Sequence, residues 1–150
     1  MPHTAYLNIG SNIGDRQAQI DLAVVRIEQL CNGIARRSDV IETPAWGFES
    51  KSLFLNIGIA IETDLSPEDL LKGLQAIEKS ISPASHRDEN GNYVDRAIDI
   101  DIIAIDDLII DTPNLIVPHP RMHLRNFVLI PMKQIAPEWK NPRESAKNKG

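Results

Sequence analysis

Residues 98–105 read Ile-Asp-Ile-Asp-Ile-Ile-Ala-Ile, and this stretch predicts a β-strand with two chemically different faces. Alternate residues of a strand share a face, so Ile98, Ile100 and Ile102 point to one side and Asp99 and Asp101 to the other. The isoleucines indicate packing against a hydrophobic core. Aspartate is a poor strand former and two neighbouring carboxylates repel each other, so this pair calls for a compensating cation.

The elements predicted around this strand define a fold class. Apolar residues recur at period 2 in the strands and at helical spacing in the helices, and the predicted order is strand 5–9, helix 15–31, strand 34–43, strand 53–61, helix 66–80 and strand 98–105. This order is the βαββαβ plan, which predicts an α+β, ferredoxin-like antiparallel sheet with helices on one face. The other face is then left for a ligand. The same fold serves enzymes, regulatory modules and RNA binders, so function has to be argued from the site.

The rest of the chain predicts loops and shorter elements. A polar loop is expected over 82–95, short strand pieces at 109–110 and 115–116, and a helix over 127–135. Residues 137–150 are polar and predict a frayed tail on a single domain that spans residues 1–150.

Composition excludes several classes of protein. The chain is 42% apolar and 25% charged, as expected of a soluble globular domain, and its net charge of −5 disfavours binding to nucleic acid. The single cysteine excludes an internal disulfide and a cysteine-based metal site. No apolar run approaches the roughly 18 residues that span a bilayer. We therefore expect a cytoplasmic monomer that binds neither membrane nor nucleic acid.

The two aspartates allow two interpretations. The first is an amphipathic strand whose polar face is simply solvated. The second is a divalent-metal site, since Mg²⁺ prefers oxygen ligands and is typically held by one or two carboxylates together with substrate phosphates. Two carboxylates on one face could also support a pair of metal ions of the kind used in phosphoryl transfer. Few histidines lie nearby, which makes zinc a poorer candidate.

Cationic residues flank the acidic strand in sequence. Arg96 lies three residues before Asp99, and residues 119–125 contain two histidines and two arginines. A basic turn at the start of a helix would also explain the second cluster, but the arginine fork suits phosphate oxygens. Together with the aspartates these residues indicate a metal–triphosphate site. The chain has neither a P-loop nor a kinase glycine-rich loop, so ATP would have to be held by another design.

Six short motifs occur in a specific order over residues 4–138. They are Gly10-Ser11-Asn12, Glu42-Thr43-Pro44-Ala45-Trp46-Gly47, Phe54-Leu55-Asn56, Asp95-Arg96-Ala97-Ile98-Asp99-Ile100-Asp101, Val117-Pro118-His119-Pro120-Arg121 and Arg125-Asn126-Phe127. Each is weak alone, but the ordered set resembles the 6-hydroxymethyl-7,8-dihydropterin pyrophosphokinase family. The resemblance implies a ferredoxin-like fold. It also implies an enzyme of folate biosynthesis that transfers the β,γ-diphosphate of ATP to the pterin hydroxymethyl group and releases AMP.

The resemblance implies roles for residues on the nucleotide side. Two Mg²⁺ ions would be held by Asp99 and Asp101. The phosphates would be contacted by Arg96, His119 and Arg125. The adenosine part of ATP would lie near Gln75, Glu78, Ile102, Leu115 and Ile116.

The resemblance also implies a pterin pocket. Phe54 and Phe127 match the two aromatic positions of the family, and a flat heterocycle can stack between two such rings. Asn56 shares a strand face with Phe54, so its amide could pair with the donor and acceptor edge of the pterin. The loop that completes this edge would contain Thr43, Pro44 and Trp46.

The chain departs from the family pattern most clearly in the loop after its second helix. The family usually has Gly-Arg-x-Arg after its second helix, whereas this chain has Ser82-Pro83-Ala84-Ser85. Two expected arginines on the phosphate side are therefore absent, and His86 and Arg87 are candidate substitutes. The alternative function is a ferredoxin-like sensor module that binds a small heterocycle without turnover, but that reading leaves Asp99 and Asp101 unexplained.

Overall fold

The computed structural model describes residues 2–44, 53–81 and 97–144. In chain order its elements are β1 (His3–Ser11), α1 (Arg16–Cys31), β2 (Arg36–Arg37), β3 (Ile41–Thr43), β4 (Phe54–Thr63), α2 (Pro67–Ile81), β5 (Asp99–Ile105), β6 (Ile110–Asp111), β7 (Ile116–Val117), a 3₁₀ turn (Met122–Leu124) and α3 (Asn126–Ile135). Every predicted strand and helix is present, with the weak strand over 34–43 divided into β2 and β3. The loop predicted over 82–95 lies outside the described residues.

The central strand of the sheet is β1. It pairs antiparallel with β4 on one side and with β5 on the other, while β2 and β3 pair with the far edge of β4. The resulting strand order, β2–β4–β1–β5 with β3 beside β4, is that of the βαββαβ plan. The predicted α+β, ferredoxin-like class is therefore confirmed.

The main hydrophobic core lies between the sheet and the two helices α1 and α2. It is built from the inward residues of three strands and both helices, among them Leu7, Ile9, Ile20, Ile27, Ile57, Ile59, Leu70, Leu74, Ile100 and Ile102. The periodicity that the sequence shows in each element is the periodicity of this buried surface, because only residues on one face can reach the core.

Side chains mark where the two core helices begin and end. The carboxylate of Asp15 accepts a hydrogen bond from the Ala18 backbone N–H at 3.1 Å and caps α1. That helix ends at Asn32, whose left-handed backbone has φ 55°. The Ser66 hydroxyl caps α2 in the same way, by accepting from the Asp69 N–H at 3.1 Å.

The third helix packs on the opposite face of the sheet, which corrects the prediction that helices occupy one face alone. α3 lies against β4 at Gly58, where a Cβ atom would come within 2.9 Å of Pro131 Cβ. Around its inner side Ile103, Met122 and Val128 form a second, smaller apolar cluster. The face expected to be left for a ligand is therefore partly covered by α3.

A β-bulge in β5 allows both Ile102 and Ile105 to face the main core. The pairing register shifts between Tyr6 and Leu7, and the shift leaves Ile103 as an extra residue of β5. As a result Ile102 and Ile105 both belong to the main core, whereas Ile103 packs in the second cluster. The alternation predicted for residues 98–102 is therefore observed and continues to Ile103, and the bulge then turns Ile105 toward the main core.

The C-terminal segment contacts the sheet and the small β6–β7 hairpin. The Trp139 indole N–H donates to the Asp106 carbonyl at 2.8 Å, and the Arg143 guanidinium donates to Asp111 at 2.6 Å and to the Val117 carbonyl at 3.0 Å. Residues 145–150 lie outside the described part of the chain, so one domain with a frayed tail stays a prediction. Among the described helices, none has the length and apolarity needed to cross a bilayer.

Gly58→Ala is expected to destabilise the protein by about 1–3 kcal/mol, because the new methyl group would meet Pro131 and α3 would have to shift. Urea denaturation followed by far-UV circular dichroism measures this loss. The control is Gly73→Ala in α2. There the Cβ would come within 2.6 Å of Leu30 Cδ2, but the Leu30 side chain can rotate away, whereas the Pro131 ring cannot, and alanine favours the helix. Equal losses in the two variants would contradict the close approach of α3 to β4.

Candidate active site

The polar residues of the sheet lie together on the face opposite α1 and α2. Strand register places Asn56 of β4, Gly10 of β1 and Asp99 of β5 in one row across three strands, with Asn8 and Asp101 side by side in the next row. Neighbouring strands are about 4.8 Å apart, so the positions of Asn56 and Asp99 are roughly 10 Å apart. The sheet therefore presents the predicted amide and the predicted carboxylates to the same space.

A cleft of about 400 Å³ opens beside the two aspartates, between β5, α2 and the segment around β7. Asp99 and Asp101 are both partly exposed at its wall. The cleft is also lined by the residues that the resemblance places near the nucleotide, which are Gln75, Glu78, Ile102, Leu115, Ile116 and His119. The fold thus brings together residues from three separate parts of the sequence.

Glu78 forms a hydrogen bond with the β5 backbone that the sequence did not predict. Its carboxylate accepts a hydrogen bond from the Ile100 backbone N–H at 3.0 Å. Ile100 lies between Asp99 and Asp101, on the edge of β5 that faces away from β1. Glu78 therefore holds, from α2, the backbone of the strand segment that carries both aspartates.

Asp99 and Asp101 fit a magnesium site that depends on substrate. Within residues 2–44, 53–81 and 97–144, no three His, Cys, Asp or Glu side chains come close enough together to hold a metal ion. A structural zinc or calcium site would require more protein ligands than two carboxylates supply. Mg²⁺ keeps several waters and commonly takes its remaining ligands from phosphate oxygens, which matches a pair of carboxylates at the wall of a cleft.

His119 is held in its neutral form. Burial, as the largest cause, and the positive charges of Arg125 and Arg121 together lower the pKa of the imidazole from its ordinary 6.5 to about 4. The Nδ1 atom accepts a hydrogen bond from the Arg121 backbone N–H at 3.2 Å, which assigns the proton to Nε2. At neutral pH His119 can therefore donate one hydrogen bond from Nε2 without adding a third positive charge.

Arg125 and Phe127 are neighbours at the start of α3. The guanidinium carbon of Arg125 lies 5.5 Å from the centre of the Phe127 ring, a cation–π distance. The resemblance assigns Arg125 to the phosphates and Phe127 to the pterin. Their contact indicates that the two halves of the predicted site meet at this point.

Asn8 is a site residue that the sequence reasoning missed. Pro131 lacks an N–H, so within α3 it cannot donate to the carbonyl of Phe127 four residues earlier. The buried Asn8 side chain donates to that carbonyl instead, at 2.7 Å. Asn8 also lies beside Asp101 in the sheet. A polar residue in an apolar strand, together with a proline inside a predicted helix, was the signal that could have found this contact.

The predicted pterin-side residues are also brought together. The Asn56 amide is buried and donates to the Thr43 hydroxyl at 3.0 Å, across the β3–β4 pair. Its carbonyl oxygen lies over Gly10, where a Cβ atom would come within 2.8 Å of it and 3.3 Å from the Phe54 ring. The position of these side chains therefore favours glycine at position 10, which explains the glycine of the first motif. Pro44 directly follows β3 and is exposed.

Two of the predicted site residues, Trp46 and Arg96, lie outside the described residues. The same holds for His86 and Arg87, the candidate substitutes for the missing loop arginines.

Comparison with known proteins gives consistent matches. A family model described as 7,8-dihydro-6-hydroxymethylpterin-pyrophosphokinase matches residues 6–137. A Porphyromonas gingivalis protein named 2-amino-4-hydroxy-6-hydroxymethyldihydropteridine pyrophosphokinase is 37% identical over 144 residues, covering 95% of this chain and 97% of the relative. An Aquifex aeolicus protein of the same name is 38% identical over 139 residues, covering 93% of this chain and 84% of the relative.

A solved structure described as HPPK-DHPS in complex with substrates has the same fold. It superimposes with a TM-score of 0.69 at 15% sequence identity and covers 99% of this chain. This chain spans 43% of the length of that protein. At such low identity the likeness supports the fold alone.

Asn8→Leu is expected to destabilise the protein by about 1–3 kcal/mol, because the Phe127 carbonyl would lose its donor inside the protein. In a Pro131→Ala background, the backbone N–H of residue 131 can donate to the same carbonyl. The loss of stability caused by Asn8→Leu should therefore be smaller in that background. A double-mutant cycle measured by urea denaturation tests this coupling. Equal losses in the two backgrounds would contradict it.

The low pKa of His119 predicts a pH-dependent loss of stability. Between pH 6.5 and about 4 the unfolded chain binds a proton at this residue and the folded protein does not, so stability falls as pH falls through that window. From pH 7 to 4.5 the wild type should lose roughly 1–2 kcal/mol more than His119→Gln, after allowance for solvent screening. Unfolding free energies measured at both pH values check this, and parallel losses would contradict the assignment.

Proposed function

The chain belongs to the 7,8-dihydro-6-hydroxymethylpterin-pyrophosphokinase family, and we propose that it transfers the β,γ-diphosphate of ATP to the hydroxymethyl group of 6-hydroxymethyl-7,8-dihydropterin. As a member of this family it is a diphosphotransferase of folate synthesis. In the proposed reaction the pterin hydroxyl oxygen forms a bond to the β-phosphorus of ATP. The bond from that phosphorus to the bridging oxygen of the α-phosphate breaks, AMP leaves, and the hydroxyl proton is released to solvent.

The observation that carries this proposal is the row of Asn56, Gly10 and Asp99 across three strands. A buried amide suited to a heterocycle and a carboxylate suited to a phosphate-bound cation face the same space, roughly 10 Å apart. This separation suits a flat ring at one end and a triphosphate at the other. A sensor that binds only the heterocycle would give Asp99 no role, and membership of an enzyme family argues against that alternative.

On the nucleotide side, Asp99 and Asp101 would hold two Mg²⁺ ions. When bound there, Mg²⁺ neutralises charge on the triphosphate and favours ionisation of the attacking hydroxyl. Glu78 supports the site by holding the β5 backbone between the two aspartates. The proposed adenosine neighbours are those that line the cleft, namely Gln75, Glu78, Ile102, Leu115 and Ile116.

The phosphates would be contacted by Arg96, His119 and Arg125. A neutral His119 can donate its Nε2 hydrogen to a phosphate oxygen, while Arg125 supplies positive charge where negative charge builds up on the leaving AMP. Most of the acceleration would then come from position and electrostatics rather than from a dedicated base.

On the other side, the pterin ring would stack between Phe54 and Phe127. Asn56 and Thr43, already hydrogen-bonded to each other, would pair with its polar edge. Pro44 and Trp46 would complete this edge, as the resemblance implies. We also propose a cytoplasmic monomer that binds neither nucleic acid nor membrane. The net charge of −5 disfavours nucleic acid, and small, water-soluble substrates require no membrane.

The proposed reaction predicts that the protein, incubated with ATP, Mg²⁺ and the hydroxymethyl dihydropterin, releases AMP. Separation of the nucleotides by ion-exchange chromatography distinguishes AMP from ADP. Release of ADP would show ordinary phosphoryl transfer and overturn the proposed reaction. In the same assay Asp99→Asn and Asp101→Asn should each lower turnover at least about a hundredfold, because the cation site loses charge.

The matched control for these variants is Asp107→Asn. Asp107 is exposed just beyond β5 and does not line the cleft, so the same chemical change there should leave turnover within about twofold of the wild type. Circular dichroism spectra of all three variants should match that of the wild type. Full activity in both Asp99→Asn and Asp101→Asn would overturn the assignment of the cation site.

A further inference from the structure

One atom of Arg16 joins the two chain segments that frame the proposed pterin pocket. The Nη1 group of Arg16 donates to the Glu42 carboxylate at 3.0 Å and to the Leu53 backbone carbonyl at 2.8 Å. Glu42 lies in β3, and Leu53 immediately precedes β4. Arg16 is the first residue of α1, so it links the end of one strand, the start of the next and a core helix.

Within the described residues, the pairing between β3 and β4 is short. β3 contains three residues, and its pairing with β4 ends at Thr43 and Phe54. Such a short ladder supplies few backbone hydrogen bonds, and the ends of elements open at low free energy. The bond from Arg16 to Leu53 lies one residue beyond the last described pair and therefore extends the support of the ladder at this end.

Arg16 is itself held in place. Asp15 caps α1, so the first turn of the helix is well formed at Arg16. The Gln19 side chain donates to the Ser11 hydroxyl at 3.0 Å and to the Ile13 carbonyl at 2.7 Å, which fastens this turn to the end of β1. The guanidinium thus extends from an anchored base.

Arg16 acts from the side of the sheet away from the proposed substrate. Glu42 and Thr43 are consecutive strand residues and point to opposite faces. Thr43 faces the site, where its hydroxyl accepts the Asn56 amide at 3.0 Å, and Glu42 faces α1. Arg16 can therefore influence the orientation of Asn56 only through the backbones of β3 and β4.

We propose that Arg16 is a positioning residue of the pterin pocket. Through Glu42 and Leu53 it holds β3 and β4 at the separation at which Thr43 and Asn56 pair with the pterin edge. This inference rests on the proposed function, since it assigns a residue to one half of that site and to one of its two substrates.

The structure supplies a matched control for this residue. Arg37 of β2 forms an ion pair with Asp21 of α1 at 3.0 Å, the same distance as the Arg16–Glu42 pair. Both pairs are partly exposed and both join α1 to the strands beside β4. Arg37 lies opposite Ile59, away from the β3–β4 end, so Arg37→Gln removes a comparable pair without touching the pocket.

Arg16→Gln should raise KM for the pterin about tenfold, with less than a twofold change in KM for ATP, because only one half of the site loses its geometry. Arg16→Lys, which keeps the charge and a donor, should restore part of the loss. Arg37→Gln should leave both KM values unchanged. Hydrogen–deuterium exchange of the amides at 41–43 and 53–56 should quicken in Arg16→Gln and stay as in the wild type in Arg37→Gln.

An unchanged KM for the pterin in Arg16→Gln, or an equal rise for pterin and ATP, would overturn the positioning role. Direct titration with the pterin separates this result from failure of the proposed reaction. A wild type that binds the pterin without forming AMP would count against the reaction only, and the Kd values of the variants would still decide the role of Arg16. A wild type that does not bind the pterin would overturn both.

Discussion

The structure depends on the pairing of β1 with β4 on one side and β5 on the other. Consecutive strand residues alternate between the two faces of a sheet. Pairing β1 with both β4 and β5 therefore determines, for all three strands, which residues face the core and which face the site. Leu7 and Ile9 enter the core beneath α1 and α2, while Asn8 and Gly10 face the site. A shift of one residue in either register would bury the aspartates of β5 or expose its isoleucines, so core packing and site chemistry enforce the same register.

Three close contacts on the site face depend on a residue that lacks a side chain or a backbone N–H. Gly10 has no side chain, so the Asn56 amide can lie over β1, and Gly58 leaves room for α3 against β4. Pro131 has no N–H, so the Phe127 carbonyl is available to Asn8. In each case the missing group leaves a place that a neighbouring residue fills.

Charge on the site is arranged in two opposed groups. The carboxylates of Asp99 and Asp101 lie on one strand, and the basic residues follow β7 and open α3. His119 sits among the arginines as a neutral donor, because burial and the two guanidinium groups disfavour its protonation. A polyanion with bound cations would complement both groups, and each group by itself would bind it less selectively.

The sequence by itself determined the order of the elements, the ferredoxin-like class and the shared face of Asp99 and Asp101, since these follow from periods of 2 and 3.6 that are local to each element. It also pointed, by resemblance, to most of the residues that the structure gathers on the site face and around the cleft. Only the tertiary structure decided the face on which α3 packs and the role of Asn8. The Asn8–Phe127 bond joins residues 119 positions apart, and the bonds of Arg16 reach 26 and 37 positions along the chain. Contacts at such separations exist only after the core has packed, because no local periodicity specifies which distant carbonyl or carboxylate will come within 3 Å.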